Sequence, residues 1–256
     1  MKKRINVIIP SFNCGKFIEH CLLSVFSQLT EHRIILIISN DCSTDNTSEI
    51  LERIKKTYRR ENFEIEIFNQ EKNLGEINNT KFLLERCTGD YVAYLDADDF
   101  WIDPNTLDRQ INFLEENGSY SMCCCGYLQY DEGTYIPVAN GGCWLSPPLS
   151  IDIDNPITSE MLISTNFIGS SSRVFRNYKN LILDYFYDFP FSDWPLNFEL
   201  SLLGDIKFIN LPTYCYRIHR SSLSFVVKED PSEDLEKYKK RVNLLKQRYE
   251  LYGKIL

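Results

Sequence analysis

The chain has 256 residues, 43% of them apolar, enough to bury a sizeable core in one large domain or two small ones. Its net charge of -8 argues against a general nucleic-acid binder, which needs a basic surface. Nine cysteines, an odd number without CxxC or Cys/His zinc spacing, read as reduced, mostly buried thiols of a cytosolic protein.

The apolar run after Met1-Lys2-Lys3-Arg4 stops at Pro10, too short for a secretory signal. No stretch approaches the roughly 18 apolar residues of a membrane span. Residues 5–9 are a compact apolar run and predict a buried strand. Ile18, Cys21, Leu22, Val25, Phe26 and Leu29 then recur at helical spacing. Residues 34–38 predict a second buried strand. Ile50, Leu51, Ile54 and Tyr58 mark a second amphipathic helix, capped by Ser43, Thr44 or Asp45, or by Asp41 just ahead of them. Residues 64–68 alternate and predict an exposed edge strand. A third helix is expected around Ile77, Phe82, Leu83, Leu84 and Cys87, and a fourth strand at 91–95.

Pro104 opens a helix with Leu107, Ile111 and Leu114 on one face, and 121–130 predicts a long strand. Residues 131–156 carry turn residues and read as an extended surface loop. Further strands are expected at 171–175, 206–209 and 213–218, with a short helix over 195–203. A charged helix runs from Pro231 to Ile255.

Strands alternating with helices imply βαβ units and a mostly parallel sheet, which binds ligands beyond the carboxyl ends of its strands. Polar clusters fall at those ends: Ser11 and Asn13, then Asn40 and Asp41, then Asp96, Asp98 and Asp99. They point to one shared cleft. The last cluster is the strongest chemical signal, because adjacent carboxylates repel unless a cation or hydrogen bonds offset them. Hard oxygen ligands at a cleft rim suit Mg²⁺ or Mn²⁺, which keep open positions for phosphates. A solvated acidic turn is the plainer alternative for DxDD alone.

Several motifs stand in a specific order. They are Val7-Ile8-Ile9-Pro10-Ser11-Phe12-Asn13, Ser39-Asn40-Asp41-Cys42-Ser43-Thr44-Asp45, Asn73-Leu74-Gly75, Leu95 to Asp99, and Phe100-Trp101-Ile102-Asp103-Pro104-Asn105. Over roughly residues 4–225 the chain resembles inverting family 2 glycosyltransferases with the GT-A fold, of the bacterial surface-polysaccharide type. The resemblance implies an α/β domain with a mixed, mostly parallel sheet flanked by helices. It places the nucleotide-sugar donor half at 1–99, the acceptor half at 100–228, and a C-terminal helix at 229–256.

The resemblance also implies site residues. The donor, a nucleoside-diphosphate sugar with UDP the commonest, is expected at Pro10, Ser11, Phe12, Asn13, Asn40, Asp41, Asn73, Gly75, Lys81, Asp96 and Ala97. Asn40 departs from the family's acidic residue, and Lys81 stands near the family's usual Arg. Mn²⁺ or Mg²⁺ is expected at Asp96, Asp98 and Asp99, with His219 of Tyr216-Arg217-Ile218-His219 as a further ligand. Asp193 corresponds to the general base; a helix cap is its simpler reading.

Trp101 and Trp194 are expected to wall the acceptor, a glycan or lipid-linked saccharide, with Tyr127 and Trp144 as further aromatic candidates. The basic residues of the last helix, Lys237, Lys239, Lys240, Arg241, Lys246 and Arg248, leave peripheral contact with the inner face of the membrane open beside simple packing on the domain. A non-catalytic nucleotide-sugar-binding protein of the same fold is the alternative function.

Overall fold

Isoleucine and valine stiffen an extended backbone and pack well on a pleated surface. They fill β1 (Arg4–Ser11) and β2 (Arg33–Asn40), whose interiors are almost wholly buried. The computed structural model describes residues 1–131, 134–137, 155–179, 181, 183–220, 222 and 231–253. Among these, β1 and β2 pair in parallel at the centre of the donor half, with Ile5 opposite Ile34 and Ser11 opposite Asn40. On one side β3 (Phe63–Asn69) forms the edge, as its alternating pattern predicts. On the other, β4 (Tyr91–Tyr94) lies parallel to β1.

The sheet continues into the second half of the chain, in the order β3-β2-β1-β4-β8-β6-β9-β5. Here β8 is Val174–Arg176, β6 is Tyr120–Asp131, β9 is Asp205–Arg217 and β5 is the short Phe100–Trp101. β8 runs antiparallel to both β4 and β6, which makes the sheet mixed. Apolar side chains leave it in both directions. Ile5, Val7 and Ile9 meet α1 (Ile18–Phe26), α2 (Thr47–Thr57) and α4 (Thr106–Glu116). Ile8, Ile35 and Ile37 meet α3 (Glu76–Arg86) and α6 (Asp193–Leu202) on the other face.

Five elements differ from the sequence pattern. The two strands expected at 206–209 and 213–218 are the single strand β9, because the break at Pro212 is absorbed as a register shift opposite Gly126. The strand expected at 171–175 begins instead as a 3-10 turn at Ser170–Ser172. α5 (Ser159–Ser164) and β5 are too short to carry a periodic signal. In the span expected to be loop, β7 (Thr134–Pro137) pairs with β6; residues 138–154, and with them Trp144, lie outside the described residues.

The C-terminal helix α7 (Pro231–Gly253) docks by burying Leu245 and setting Tyr249 and Tyr252 against the second cluster. Among its basic residues, Lys240 pairs with Asp188, Arg241 donates to the Asp188 carbonyl, Lys239 pairs with Glu236, and Arg248 grips Glu199. These contacts favour packing on the domain over a membrane-facing role. No helix among the described residues is long and apolar enough to cross a membrane.

The Arg248–Glu199 pair is bidentate, at 2.7 and 3.2 Å, and Tyr185 also donates to Glu199 at 2.9 Å. With Glu199 almost fully buried, removing the cation strands a carboxylate. Arg248→Met is expected to destabilise the fold by about 3–5 kcal/mol, with Glu199→Leu in the same chain recovering most of it. Urea unfolding measures both; a neutral single variant would show that the pair does not hold α7.

Candidate active site

The ends of β1 and β2 are laced together. Asn13 and Cys42 adopt left-handed backbone conformations, φ 51° and 59°, which turn the chain sharply as each strand ends. The Asn13 N–H donates to Ser43 Oγ (2.9 Å), and Asn13 Oδ1 accepts from Thr44 N (2.8 Å). Gly15 N donates to Asp45 Oδ2 and Cys14 N to Thr47 Oγ1, both at 2.9 Å. Phe12 stays exposed beside half-buried Pro10, and the buried Ser11 hydroxyl has no hydrogen-bond partner among the described residues.

Asp41 does not cap the second helix. Asn46 is the N-cap residue and makes no capping side-chain bond, while Asp45 just ahead of it accepts from Thr47 N at 3.0 Å. The Asp41 carboxylate instead reaches the third helix, accepting from Leu74 N (2.6 Å) and Gly75 N (3.0 Å). Gly75 sits at φ +81°, ψ 159°, a conformation closed to side chains, which explains glycine there. Asn73 Oδ1 accepts from the same N–H. Asn40 binds inward, to Ser48 and Asn69.

The acidic loop leaves β4. Asp96 accepts from the Ser170 hydroxyl, and the Asp96 N–H donates to Ser171 Oγ at 3.1 Å. Asp99 is fully braced: Ser171 Oγ donates to one oxygen at 2.6 Å and Arg217 N to the other at 2.9 Å. Arg217 also donates to the Asp98 carbonyl at 2.7 Å and lies within 5.0 Å of the ring centres of Phe17, Phe100 and Tyr130. Asp98 faces His219, with Oδ2 2.9 Å from Nε2. Gly169 is needed beside this turn, because a Cβ there would lie 2.0 Å from the Tyr214 hydroxyl. Burial and then the Asp98 charge push Asp96 up to about 6, and the same two causes hold Asp99 well above the ordinary carboxylate range.

Asp193 opens α6, where Ser192 is the N-cap residue and no side chain caps the helix. Its carboxylate accepts from Asn166 Nδ2 at 2.7 Å. Burial raises its proton affinity; the Arg173 guanidinium and the Asn166 amide oppose that. Glu76, from the first turn of α3, accepts from Ser192 N (2.9 Å) and Ser192 Oγ (2.5 Å), tying the donor half to the start of α6. Desolvation pushes Glu76 up to about 7.

Several expected residues are occupied elsewhere. Lys81 donates to the Tyr187 hydroxyl at 3.3 Å and lies over its ring. Trp101 is 5% exposed and donates to the Ser171 carbonyl at 3.0 Å, so it is a packing residue rather than a sugar wall. Trp194 donates to the Leu162 carbonyl at 2.8 Å and packs on Phe189 and Tyr238. Tyr127 is buried against Tyr214. Asp99, with both oxygens held, is a brace. Residues that the sequence reading did not single out, namely Glu76, Asn166, Ser170, Ser171, Arg173 and Asn197, carry the site's hydrogen bonds. No motif or periodic signal marks them.

Asp96, Asp98 and His219 offer hard oxygen and imidazole donors, and their crowded charge is what a divalent cation would relieve. No group of three His, Cys, Asp or Glu among the described residues is arranged to enclose a metal. The residues therefore fit a cation held partly by the protein and partly by water and phosphate oxygens. The cysteines are free thiols among the described residues, and burial pushes Cys14 and Cys87 up to about 12, so neither is a thiolate at neutral pH.

The sequence model of glycosyl transferase family 2 matches residues 6–178. The chain belongs to this family. An uncharacterised glycosyltransferase of Haemophilus influenzae is 29% identical over 247 residues, covering 92% of this chain and 72% of the relative. The putative teichuronic acid biosynthesis glycosyltransferase TuaG of Bacillus subtilis is 37% identical over 134 residues, covering 52% of this chain and 50% of TuaG. Chondroitin synthase of Escherichia coli is 26% identical across 96% of this chain but only 34% of its own length. The chain thus spans half or less of the latter two.

Two solved structures share the fold. S. aureus TarS 1-349 in complex with UDP-GlcNAc aligns with a TM-score of 0.66 at 17% identity, over 96% of this chain and 66% of that one. The mannosyltransferase PcManGT from Pyrobaculum calidifontis, in complex with GDP-Man and Mn²⁺, aligns with a TM-score of 0.61 at 14% identity, over 95% and 70%. The fold is GT-A.

A carboxyl whose folded pKa is raised binds a proton that the unfolded chain releases, so its stabilising share is present at low pH and is lost as pH rises. For Glu76 the window runs from the ordinary 4.5 to about 7. Stability is expected to fall with rising pH across this window, and Glu76→Gln, which keeps an oxygen for Ser192, is expected to flatten that fall. Urea titrations at several pH values test it; an unchanged slope would mean that Glu76 ionises freely.

Proposed function

For this family 2 glycosyltransferase we propose transfer of a sugar from a UDP-linked donor, with inversion, to a hydroxyl of a glycan or lipid-linked saccharide, at the cytoplasmic side of the cell. The observation that carries the reading is the convergence at one end of the sheet. The loops after β1, β2 and β4 lie on adjacent strands, and the acidic loop is braced from the acceptor half by Ser170, Ser171 and Arg217. The complexes of TarS with UDP-GlcNAc and of PcManGT with GDP-Man and Mn²⁺ support a nucleoside-diphosphate sugar and a divalent cation here.

In this reading Pro10, Ser11, Phe12 and Asn13 line the nucleotide, with exposed Phe12 as an apolar wall. Asp41 holds the Asn73–Gly75 turn, and its remaining lone pairs serve the base or ribose. Ala97 lets the acidic loop approach the diphosphate. Asp98 and His219, with Asp96 through water, would hold Mn²⁺ or Mg²⁺, which when bound supplies Lewis-acid neutralisation of the diphosphate.

Asp193 orients the acceptor hydroxyl and takes its proton. The freed oxygen attacks C1, the C1–oxygen bond to the diphosphate breaks, and the nucleoside diphosphate leaves with the bonding pair. The helix N-terminus behind Asp193 steadies the carboxylate before the proton arrives.

Two measurements bear on this. In a thermal-shift panel of nucleoside diphosphates with and without Mn²⁺, UDP with Mn²⁺ is expected to give the largest stabilisation, because bound ligand stabilises by mass action. Asp98→Asn is expected to weaken Mn²⁺-dependent UDP binding at least about tenfold, the scale at which even outer-shell partners of a metal act. Calorimetry showing wild-type affinity would remove Asp98 from the site, and a flat panel would count against a nucleotide donor.

A further inference from the structure

Arg173 is the largest fully buried side chain among the described residues, at 1% exposure. It follows the 3-10 turn that carries Ser170 and Ser171, the residues that hold the acidic loop. A buried guanidinium normally faces a carboxylate in a two-pronged pair. This one does not. Its Nε donates to the Ser170 carbonyl at 3.0 Å, and its Nη1 to Asn197 Oδ1 at 3.0 Å and the Asp193 carbonyl at 3.4 Å. It lies 4.4 Å from the ring centre of Tyr94, and Nη2 has no hydrogen-bond partner among the described residues. An unpaired donor on a buried cation is costly and calls for an explanation.

The explanation lies in the direction of the hydrogen bonds that start from it. Arginine donates and cannot accept. Asn197 must therefore present its oxygen to Arg173, which turns its amide nitrogen outward. That nitrogen donates to Asn166 Oδ1 at 2.9 Å. Asn166 must in turn present its own nitrogen to Asp193 Oδ2, at 2.7 Å. The three links run one way, and the Ile168 backbone agrees with them: its carbonyl accepts from Asn197 Nδ2 and its N–H donates to Asn166 Oδ1, both at 3.3 Å, so the orientation of both amides is fixed rather than a choice between oxygen and nitrogen. At the end of the relay Asp193 Oδ2 can only accept.

We propose that Arg173 is a positioning residue which, through Asn197 and Asn166, holds Asp193 in its proton-accepting form by a relay that engages one of its two oxygens. The proposal rests on the reading of Asp193 as the general base and adds the machinery that keeps it one.

The charges around Asp193 show why such a device is needed. Burial favours its neutral form, and so does the carboxylate of Asp96 on the β4 side. Glu76 faces it from α3 with a third carboxyl. Arg173 is the cation that acts on both Asp193 and Asp96. A direct Arg173–Asp193 bidentate pair would occupy both carboxylate oxygens and leave no base. Acting through two amides, the guanidinium supplies positive potential and a fixed direction while engaging one oxygen only. The same side chain ties the α6 N-terminus to the turn that holds Asp96, so the base and the donor carboxylates share one brace.

The test reads the proton directly and needs no knowledge of donor or acceptor. In protein labelled with ¹³C at aspartate Cγ, the Asp193 resonance is identified by its absence in Asp193→Asn and titrated. Arg173→Met removes the head of the relay while replacing the stem with apolar volume. Asn166→Ala removes its last donor at a half-buried position, which keeps the test open should the arginine variant not fold. Both are expected to raise the Asp193 midpoint by about one unit, a tenfold gain in proton affinity. Arg173→Lys, which keeps the charge and a donor, is expected to lie between Arg173→Met and wild type. A midpoint in Asn166→Ala that matches wild type would overturn the proposal. The parent reading fails separately: unimpaired sugar transfer by Asp193→Asn would remove the base whatever the titration gives.

Discussion

Three carboxylates within four residues, Asp99 buried and Asp96 and Asp98 half-buried, repel one another in a medium that screens poorly. Nearly every unusual feature at the carboxyl edge of the sheet answers that repulsion. Asp99 has both oxygens taken by protein donors, and Asp96 is held by the Ser170–Ser171 turn. Arg217 lies in a ring of three aromatic side chains and ties the loop to the end of β9. Asp98 remains the member turned toward an imidazole rather than toward a bracing donor. The loop is thereby sorted into one carboxylate that braces, one that is steadied, and one presented to a ligand.

The same logic links the two halves of the chain. Asp41, at the end of β2, fixes the turn that begins α3; Glu76 in that helix then fixes Ser192; and Ser192 precedes Asp193. A change at the nucleotide loops thus has a continuous hydrogen-bonded route to the start of α6. From the other side, Arg173 connects the acidic loop's turn with α6. These are contacts between elements already locked by the sheet, which is why short polar side chains suffice to hold the geometry.

Much of this was legible in the residues. The Ile/Val runs of β1 and β2 and the edge pattern of β3 predict the donor half, and polar residues at strand ends predict where the cleft lies. The motif order identifies the fold. What the sequence hides falls into two physical classes. Short elements such as β5 and α5 lack the length for a period to show. Long-range polar bonds, such as Glu76 to Ser192 across 116 positions, leave no local pattern. Trp101 and Trp194 illustrate the second class: their indole N–H groups find backbone carbonyls inside the domain, and nothing in the flanking residues announces those partners. The start of the second helix was also hidden: Asn46 is its N-cap residue without a capping side chain, and Asp41 is taken by the backbone of Leu74 and Gly75, more than thirty positions away.

The central claim is that Asp193 acts on the acceptor while the acidic loop acts on the donor. It is tested most directly by Asp193→Asn, measured for sugar transfer and for UDP affinity in the same preparation. The amide keeps the shape and still accepts at one oxygen, so the fold is expected to persist. Transfer is expected to fall by a factor on the order of 10² to 10⁴, the usual contribution of a positioned general base, with UDP affinity in the presence of Mn²⁺ close to wild type. Transfer at the wild-type rate, or loss of UDP binding together with transfer, would contradict the account.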